Sequence, residues 1–263
     1  MRIVVLIKQV PDMEKVKFNS EKGIVDRASA GTEINPFDLN ALEAALVIKE
    51  IIGAEVVALT MGPPKAEEAL REAIARGADK AVLISDKYFG GSDTKATSHV
   101  ISSGIKRLGN FHLIIAGEKT VDGDTGQVGA QVSDYLDIPY ITYVSRIEEV
   151  SESVIRSVSE IWGGEYLKEM KLPGLITVTK DINTPRLPSF KQKMASRKAE
   201  IIRLSYEDLK EYFSSDEVGI KGSPTWVSKI EVPEVIKREG KIYRDDIDAG
   251  LETILHIIAE ERI

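Results

Sequence analysis

Residues 2–10, 55–59, 81–85, 113–116 and 141–144 are short apolar runs of the length a buried strand needs. Residues 15–18 and 24–26 flank Glu21-Lys22-Gly23 and predict a small hairpin. Segments of helical period lie between the apolar runs. Asn35-Pro36-Phe37-Asp38 has the form of a helix start, with Asp38 as a candidate cap. Leu39, Leu42, Ala45 and Leu46 follow at helical spacing, and Gly53 ends the segment. Met61-Gly62-Pro63-Pro64 turns the chain into a helix over 65–76, stopped by Gly77. Ser92-Asp93-Thr94 opens a helix to about Leu108, and residues 127–136 form another, ended by Ile138-Pro139. Strands alternating with helices of this length predict βαβ units and a parallel sheet. Right-handed crossovers put helices on both of its faces.

The pattern changes near residue 145. Residues 148–161, 165–170 and 174–179 alternate apolar with polar positions and predict antiparallel strands added to the sheet edge or packed beside it. From Asp181 the chain becomes irregular and basic, with Pro185, Arg186, Pro188, Lys191, Lys193, Arg197 and Lys198. A polar linker follows, then an amphipathic helix over 247–261 with Leu251, Ile254, Leu255 and Ile258 on one side.

The 263 residues fit one large α/β domain with an appendage, or two small domains. A net charge of -7 sets nucleic-acid binding back, since such proteins carry a basic excess. The absence of cysteine excludes disulfides, thiol catalysis and Cys-ligated metal. His99, His112 and His256 have no ligand spacing, so no metal site is expected. The apolar opening reads as a strand rather than a signal peptide, and no stretch is long enough to span a bilayer.

Chemistry is most legible in Asp122-Gly123-Asp124-Thr125-Gly126-Gln127-Val128-Gly129, between a predicted strand and a predicted helix. Ligands of open parallel sheets bind at the carboxyl ends of strands. Glycines at 123, 126 and 129 let backbone approach a ligand, and the first N–H groups of the helix can hold a phosphate. Asp122 and Asp124 would repel that phosphate unless they cap backbone or take ribose hydroxyls. Spacing alone leaves a second reading open: an ordinary glycine-rich loop with aspartate caps. The pattern is neither a Walker A motif nor G-x-G-x-x-G. Gly90-Gly91-Ser92-Asp93-Thr94 superficially resembles a pyrophosphate loop but follows too late a strand. Thr94 and Thr97 could still line a ligand, or merely open a helix. An apolar slot at Leu6 and Met61 would suit an adenine ring, with Asn35 at its edge; each also has a plain reading as core or turn.

Several pieces together resemble one family, the beta subunits of electron-transfer flavoproteins, including FixA-type proteins. They are Ile7-Lys8-Gln9-Val10-Pro11-Asp12, Asn35-Pro36-Phe37-Asp38, Met61-Gly62-Pro63, Arg76-Gly77-Ala78-Asp79, the 122–129 loop, Leu172-Pro173-Gly174 and Asn183-Thr184-Pro185-Arg186. The resemblance implies a doubly wound α/β fold of the adenine-nucleotide-binding, alpha-hydrolase-like type. It would carry added antiparallel strands and a C-terminal arm. It implies a nucleotide-binding domain over 1–184, a partner-docking loop over 185–203 and an arm over 204–263 that packs on a larger alpha subunit. Ordinary members hold AMP; electron-bifurcating members hold FAD there, accept hydride from NADH and pass one electron to a second FAD. The loops at 92–97 and 122–129 resemble the bifurcating class. By resemblance, Leu6, Asn35 and Met61 surround the adenosine. Asp122 and Gly123 belong to the cofactor site, and Thr125, Gly126, Gln127, Val128 and Gly129 take the phosphates. Asp93, Thr94 and Thr97 face the flavin. Arg186, Phe190 and Lys191 would dock a dehydrogenase or a FixC/FixX-type quinone oxidoreductase, with Phe190 where the family usually has Leu. A cytoplasmic heterodimer is expected, and no acid–base catalyst is assigned, since hydride and electron transfer are the cofactor's chemistry. A structural AMP-binding subunit and a non-redox ATP-binding protein are the competing readings.

Overall fold

A computed structural model of the chain describes residues 1–12, 17–19, 24–26, 31–226, 228, 240, 242–244 and 246–260. It contains two compact units, Met1–Val227 and Ser228–Ile263.

The first unit is built on a nine-stranded sheet, in the order β11-β10-β9-β12-β8-β1-β6-β7-β13. The inner strand β1 (Arg2–Leu6) is paired in parallel with β6 (Glu55–Met61) on one side and β8 (Leu113–Gly117) on the other. Beyond β6 lie β7 (Lys80–Ile84) and the short edge strand β13 (Ile202–Leu204), both parallel. Helix α1 (Pro36–Ile52) connects β1 to β6, and α2 (Glu67–Arg76) connects β6 to β7. Helix α3 (Thr94–Leu108) then leads across to β8, and α4 (Val128–Leu136) follows it.

Alternation along β1 sends side chains to two cores. Ile3 and Val5 pack with Leu42, Leu46 and Leu70 of α1 and α2; Val4 and Leu6 pack with Val100, Ile105 and Val132 of α3 and α4. A strand covered on both faces needs apolar residues at every position, which is why these strands read as continuous runs. Gly104 lets α3 sit close, since a Cβ there would lie 2.3 Å from Ile84 Cδ1.

The expected strand at 2–10 is two pieces. After β1 the backbone turns at Ile7-Lys8, and β2 (Gln9–Pro11) pairs instead with β5 (Thr32–Ile34). The expected hairpin falls on β3 (Lys17–Asn19) and β4 (Ile24–Asp26), which pair antiparallel; its turn lies outside the described residues.

The region after residue 140 departs further from expectation. β9 (Tyr140–Val150) runs parallel to the core strands and then extends beyond them. β10 (Val154–Ile161) and β11 (Gly164–Lys171) add to it antiparallel, so 148–161 is a strand end, a turn and a new strand. Trp162-Gly163 joins β10 to β11 with both φ positive, the primed turn that a twisted two-residue hairpin requires. β12 (Gly174–Val178) is not an antiparallel edge strand. It is inserted in parallel between β8 and β9 and is buried at all five positions. Its companions on both sides turn a run of Leu, Ile and Val into core.

Helix α5 (Phe190–Ser196), in the segment expected to be irregular, packs on α2. Short helices α6 (Tyr206–Leu209) and α7 (Gly219–Gly222) follow β13 within the first unit. Residues 204–226, assigned above to an arm, thus belong to the first unit. In the second unit α8 (Ile247–Glu260) is an amphipathic helix, and the Tyr243 and Thr253 hydroxyls lie 3.0 Å apart. Among the described residues no helix is long and apolar enough to cross a membrane.

Candidate functional site

Strand order reverses at β1. The chain moves out through β6 and β7, then returns to begin β8 on the opposite side. Open sheets of this kind form a crevice outside the carboxyl ends of the two strands at the reversal. A cavity of about 1030 Å³ lies there. Leu6, Ile7, Met61, Phe89, Ile101 and Ala116 give it an apolar wall.

Asp38 holds the floor of the crevice together. It stands in the first turn of α1 and is buried. Lys8 N–H, at the end of β1, donates to its Oδ2 at 2.8 Å; Gly117 N–H, at the end of β8, donates to its Oδ1 at 3.2 Å. A Cβ on Gly117 would lie 2.5 Å from that carboxylate, so only glycine permits the approach. Burial pushes the Asp38 carboxyl up to about 7, against the lowering effect of Asn35 and of the two N–H donors. Asp38 is therefore a tie between strand ends, not the cap expected for α1. The N-cap is Asn35, without a side-chain cap bond.

Asn35 is fully buried and braces the loop from β8 to α4. Its Nδ2 donates to the Lys119 carbonyl at 2.9 Å, and its Oδ1 accepts Val121 N–H at 3.2 Å. The loop's two aspartates each meet a lysine: Asp122 pairs with Lys8 at 2.8 Å and Asp124 with Lys119 at 2.9 Å. The repulsion foreseen between these carboxylates and a phosphate is thus offset by two ammonium groups, and both lysines line the cavity.

Two helices open on the same cavity. Helix α4 begins after Gly126, whose φ of +62° suits glycine, and Gln127 supplies no side-chain cap. Gly129 has no Cβ to strike Thr177 Cγ2, which would lie 2.6 Å away, so α4 can seat against β12. Helix α3 differs. Asp93 Oδ1 accepts Ala96 N–H at 3.1 Å, and its Oδ2 accepts Thr225 N–H at 3.1 Å and the Thr225 hydroxyl at 2.8 Å. Burial raises the Asp93 carboxyl, but the Ala96 and Thr225 donors outweigh it and the net shift is downward. Thr94 Oγ1 donates to Gln127 Oε1 at 3.0 Å and joins the two helix starts.

The cavity brings together Leu6, Met61, Asp93, Thr94, Thr97, Gly123, Thr125, Gly126, Gln127, Val128 and Gly129, all singled out from sequence. Asn35, expected at an adenine edge, is outside the lining because its amide is occupied by loop backbone. Asp122 is likewise outside and faces Lys8. Lys8 and Lys119 were visible in the sequence without a role. Lys8 lies 114 positions from Asp122, and no local spacing announces such a pair. Away from the cavity, Arg186 is tied to α1. Its guanidinium meets both Glu43 oxygens at 2.9–3.1 Å and Glu50 at 2.5 Å, which holds it well above the usual arginine range. Phe190 is 80% exposed, and Lys191 is exposed beside it.

The fold and site define a doubly wound α/β protein with a ligand-sized cavity at its switch point. A model of the electron transfer flavoprotein domain matches residues 22–209. The chain is 39% identical over 262 residues to the electron transfer flavoprotein subunit beta of Clostridium acetobutylicum, covering 99% of each. It is 44% identical to the caffeyl-CoA reductase-Etf complex subunit CarD of Acetobacterium woodii, covering 86% of each. It is 38% identical to Protein FixA of Bradyrhizobium diazoefficiens, covering 89% of this chain and 83% of that one. The chain belongs to the electron transfer flavoprotein family and is of its beta-subunit, FixA type.

Proposed function

We propose that this chain is the small subunit of a two-subunit electron-transfer flavoprotein and holds FAD in the switch-point cavity. The observation that carries this reading is the uncapped first turn of α4 opening on that cavity. Free backbone N–H groups and the positive end of the helix attract an anion. The residues present fit the cofactor. Gly126 and Gly129 leave room where backbone must approach phosphate, and the apolar wall suits flat rings. A volume of about 1030 Å³ is at the top of the range of about 300–1,000 Å³ usual for small-molecule sites, which favours a dinucleotide over a mononucleotide.

Bound there, the flavin supplies hydride acceptance from NADH and one-electron chemistry. The chain's own residues would hold and orient it: Leu6 and Met61 would flank the adenosine, Thr125 to Gly129 would take the diphosphate, and Thr94 and Thr97 would lie toward the isoalloxazine. The likeness of the 92–97 and 122–129 loops to bifurcating members supports electron bifurcation with a second FAD on a larger alpha subunit. Relatives named as subunits of caffeyl-CoA and acryloyl-CoA reductases support delivery of electrons to a dehydrogenase, and FixA supports a FixC/FixX-type quinone oxidoreductase. The complex would work in the cytoplasm. In the second unit, Leu251, Ile254, Leu255 and Ile258 of α8 are more than half exposed and would pack on the larger subunit.

Co-expression with the larger subunit, followed by counting bound nucleotides, tests the cofactor reading. Two FAD per heterodimer is the expected result. One FAD plus one AMP would make the chain a structural AMP-binding subunit, and ATP turnover by the isolated chain would move it out of redox work altogether. For docking, Phe190 is the anchor and Arg186 the latch that fixes its segment to α1. Phe190→Ala should slow electron transfer to the dehydrogenase about tenfold with cofactor content intact, because a lost central aromatic costs over about 1 kcal/mol. Unaltered transfer kinetics would remove the segment from the docking surface.

A further inference from the structure

We propose that Asp122 and Asp124 are internal competitors for the ligand's phosphates, and that Lys8 and Lys119 exchange their carboxylates for the phosphate oxygens when a nucleotide enters. The idea rests on the nucleotide-binding reading and concerns how the same site is regulated. Both lysines line the cavity, at the end of β1 and early in the β8–α4 loop. Each ammonium lies within 2.9 Å of a carboxylate from that loop. The loop's backbone is held separately, by Asn35 on the Lys119 carbonyl and on Val121 N–H, and by Asp124 N–H on the Thr120 carbonyl at 2.8 Å. Side chains can therefore change partners while the backbone stays where Asn35 puts it.

The charges explain why such an arrangement discriminates. Two lysines and two aspartates sum to zero, so the empty site does not present a bare cationic surface to every passing anion. The four side chains are 29–67% exposed, so each pair is weak and its rupture costs little. A multiply charged diphosphate can outbid one carboxylate for each ammonium, because it brings several oxygens and also meets the uncapped α4 turn. A singly charged small anion cannot engage both lysines and the helix at once. The ligand class favoured is a nucleoside diphosphate or a dinucleotide diphosphate.

The two roles available to Asp122 predict opposite signs. A competitor, once neutralised, frees its lysine and tightens diphosphate binding. A carboxylate that instead receives ribose hydroxyls would, once neutralised, weaken diphosphate and nucleoside alike. The experiment is calorimetric titration of the full chain with ADP and with adenosine at low and high salt. Proteins compared are wild type, Asp122→Asn, Lys8→Met and the Lys8→Met/Asp122→Asn double variant, each checked for a native circular-dichroism spectrum. The same set is repeated at Lys119 and Asp124, so one variant that fails to fold does not end the test. The expected result is ADP binding about two- to fivefold tighter for Asp122→Asn, the range an exposed ion pair allows. Adenosine binding should be unchanged. Lys8→Met should weaken ADP about tenfold, and in its background Asp122→Asn should have lost most of its effect. Equal tightening with and without Lys8 would mean only a long-range charge effect and overturns the exchange. Weaker ADP and adenosine in Asp122→Asn overturns it in favour of a ribose contact. A wild-type chain that binds adenosine and ADP equally, with no salt dependence, overturns the exchange but leaves a nucleoside site. A wild-type chain that binds neither removes the nucleotide reading itself.

Discussion

The starts of α3 and α4 lie side by side on one cavity and meet opposite fates. At α3 a first-turn N–H is capped from within: Asp93 takes Ala96 N–H on one oxygen and Thr225 on the other. At α4 no side chain does this work, and the residue before the N-cap is a glycine with positive φ. Both helices carry the same dipole and the same unpaired first turn. The difference is a single carboxylate. A capped end stabilises the fold, whereas an uncapped end keeps its attraction for an anion from outside.

The largest way to break the contrast is to close the α4 end. Gly126→Val places a β-branched residue at φ +62°, a conformation such residues avoid. The expected outcome is at least about a hundredfold loss of nucleotide affinity, with a cooperative thermal transition retained. Unchanged flavin content would count against the cradle. A gentler route makes α4 resemble α3. Gln127→Asp puts a carboxylate at the bare helix end, which should cost about tenfold in affinity while stability holds or rises by a few tenths of a kcal/mol. Asp93→Ala makes α3 resemble α4. Losing the cap and both Thr225 bonds should cost about 2 kcal/mol, or about 4–8 °C in melting temperature, with a smaller affinity loss than Gln127→Asp. If Asp93→Ala proves the more damaging to binding, the division of labour between the two helix ends is wrong.

Much of this was readable along the chain because caps and buried parallel strands are local signals. Asp93-Thr94 and Gly53 marked helix ends correctly, and the glycines at 123, 126 and 129 marked the cavity loop. Helix α5 has a local signature too: Ser189 and Gln192 form a capping box three residues apart. β12 lies inside the sheet, contrary to expectation, because a short apolar run does not reveal how many strands flank it. The rest was hidden in sequence separation. Asn35 grips backbone 84 and 86 positions away, Lys8 meets Asp122 across 114, and Arg186 meets Glu43 across 143. Polar side chains with several possible partners acquire one only when the fold brings it near. Asn35 and Arg186 each have fold-bracing contacts that no local spacing announces.

The smallest effect concerns a carboxylate at a third helix start, and it sharpens the contrast through its sign. Asp93 has its carboxyl pKa lowered, since the Ala96 N–H and Thr225 outweigh the effect of burial. Its contribution to stability is present above the ordinary aspartate value and is lost as pH falls through the depressed folded value. Asp38, in the first turn of α1, goes the other way: burial raises it from 3.8 to about 7 despite N–H donors on both oxygens. Between those two values the folded protein holds a proton that the unfolded chain has released, so this group's contribution falls as pH rises from about 4 to 7. Wild type compared with Asp38→Asn isolates it. The wild-type melting temperature should fall between pH 5 and pH 8 relative to that of the asparagine variant, and Asp93→Asn should flatten only the acid side. Parallel pH profiles for wild type and Asp38→Asn would show that Lys8 and Gly117 keep the carboxylate ionised throughout. The floor of the crevice would then carry a fixed negative charge beneath the nucleotide.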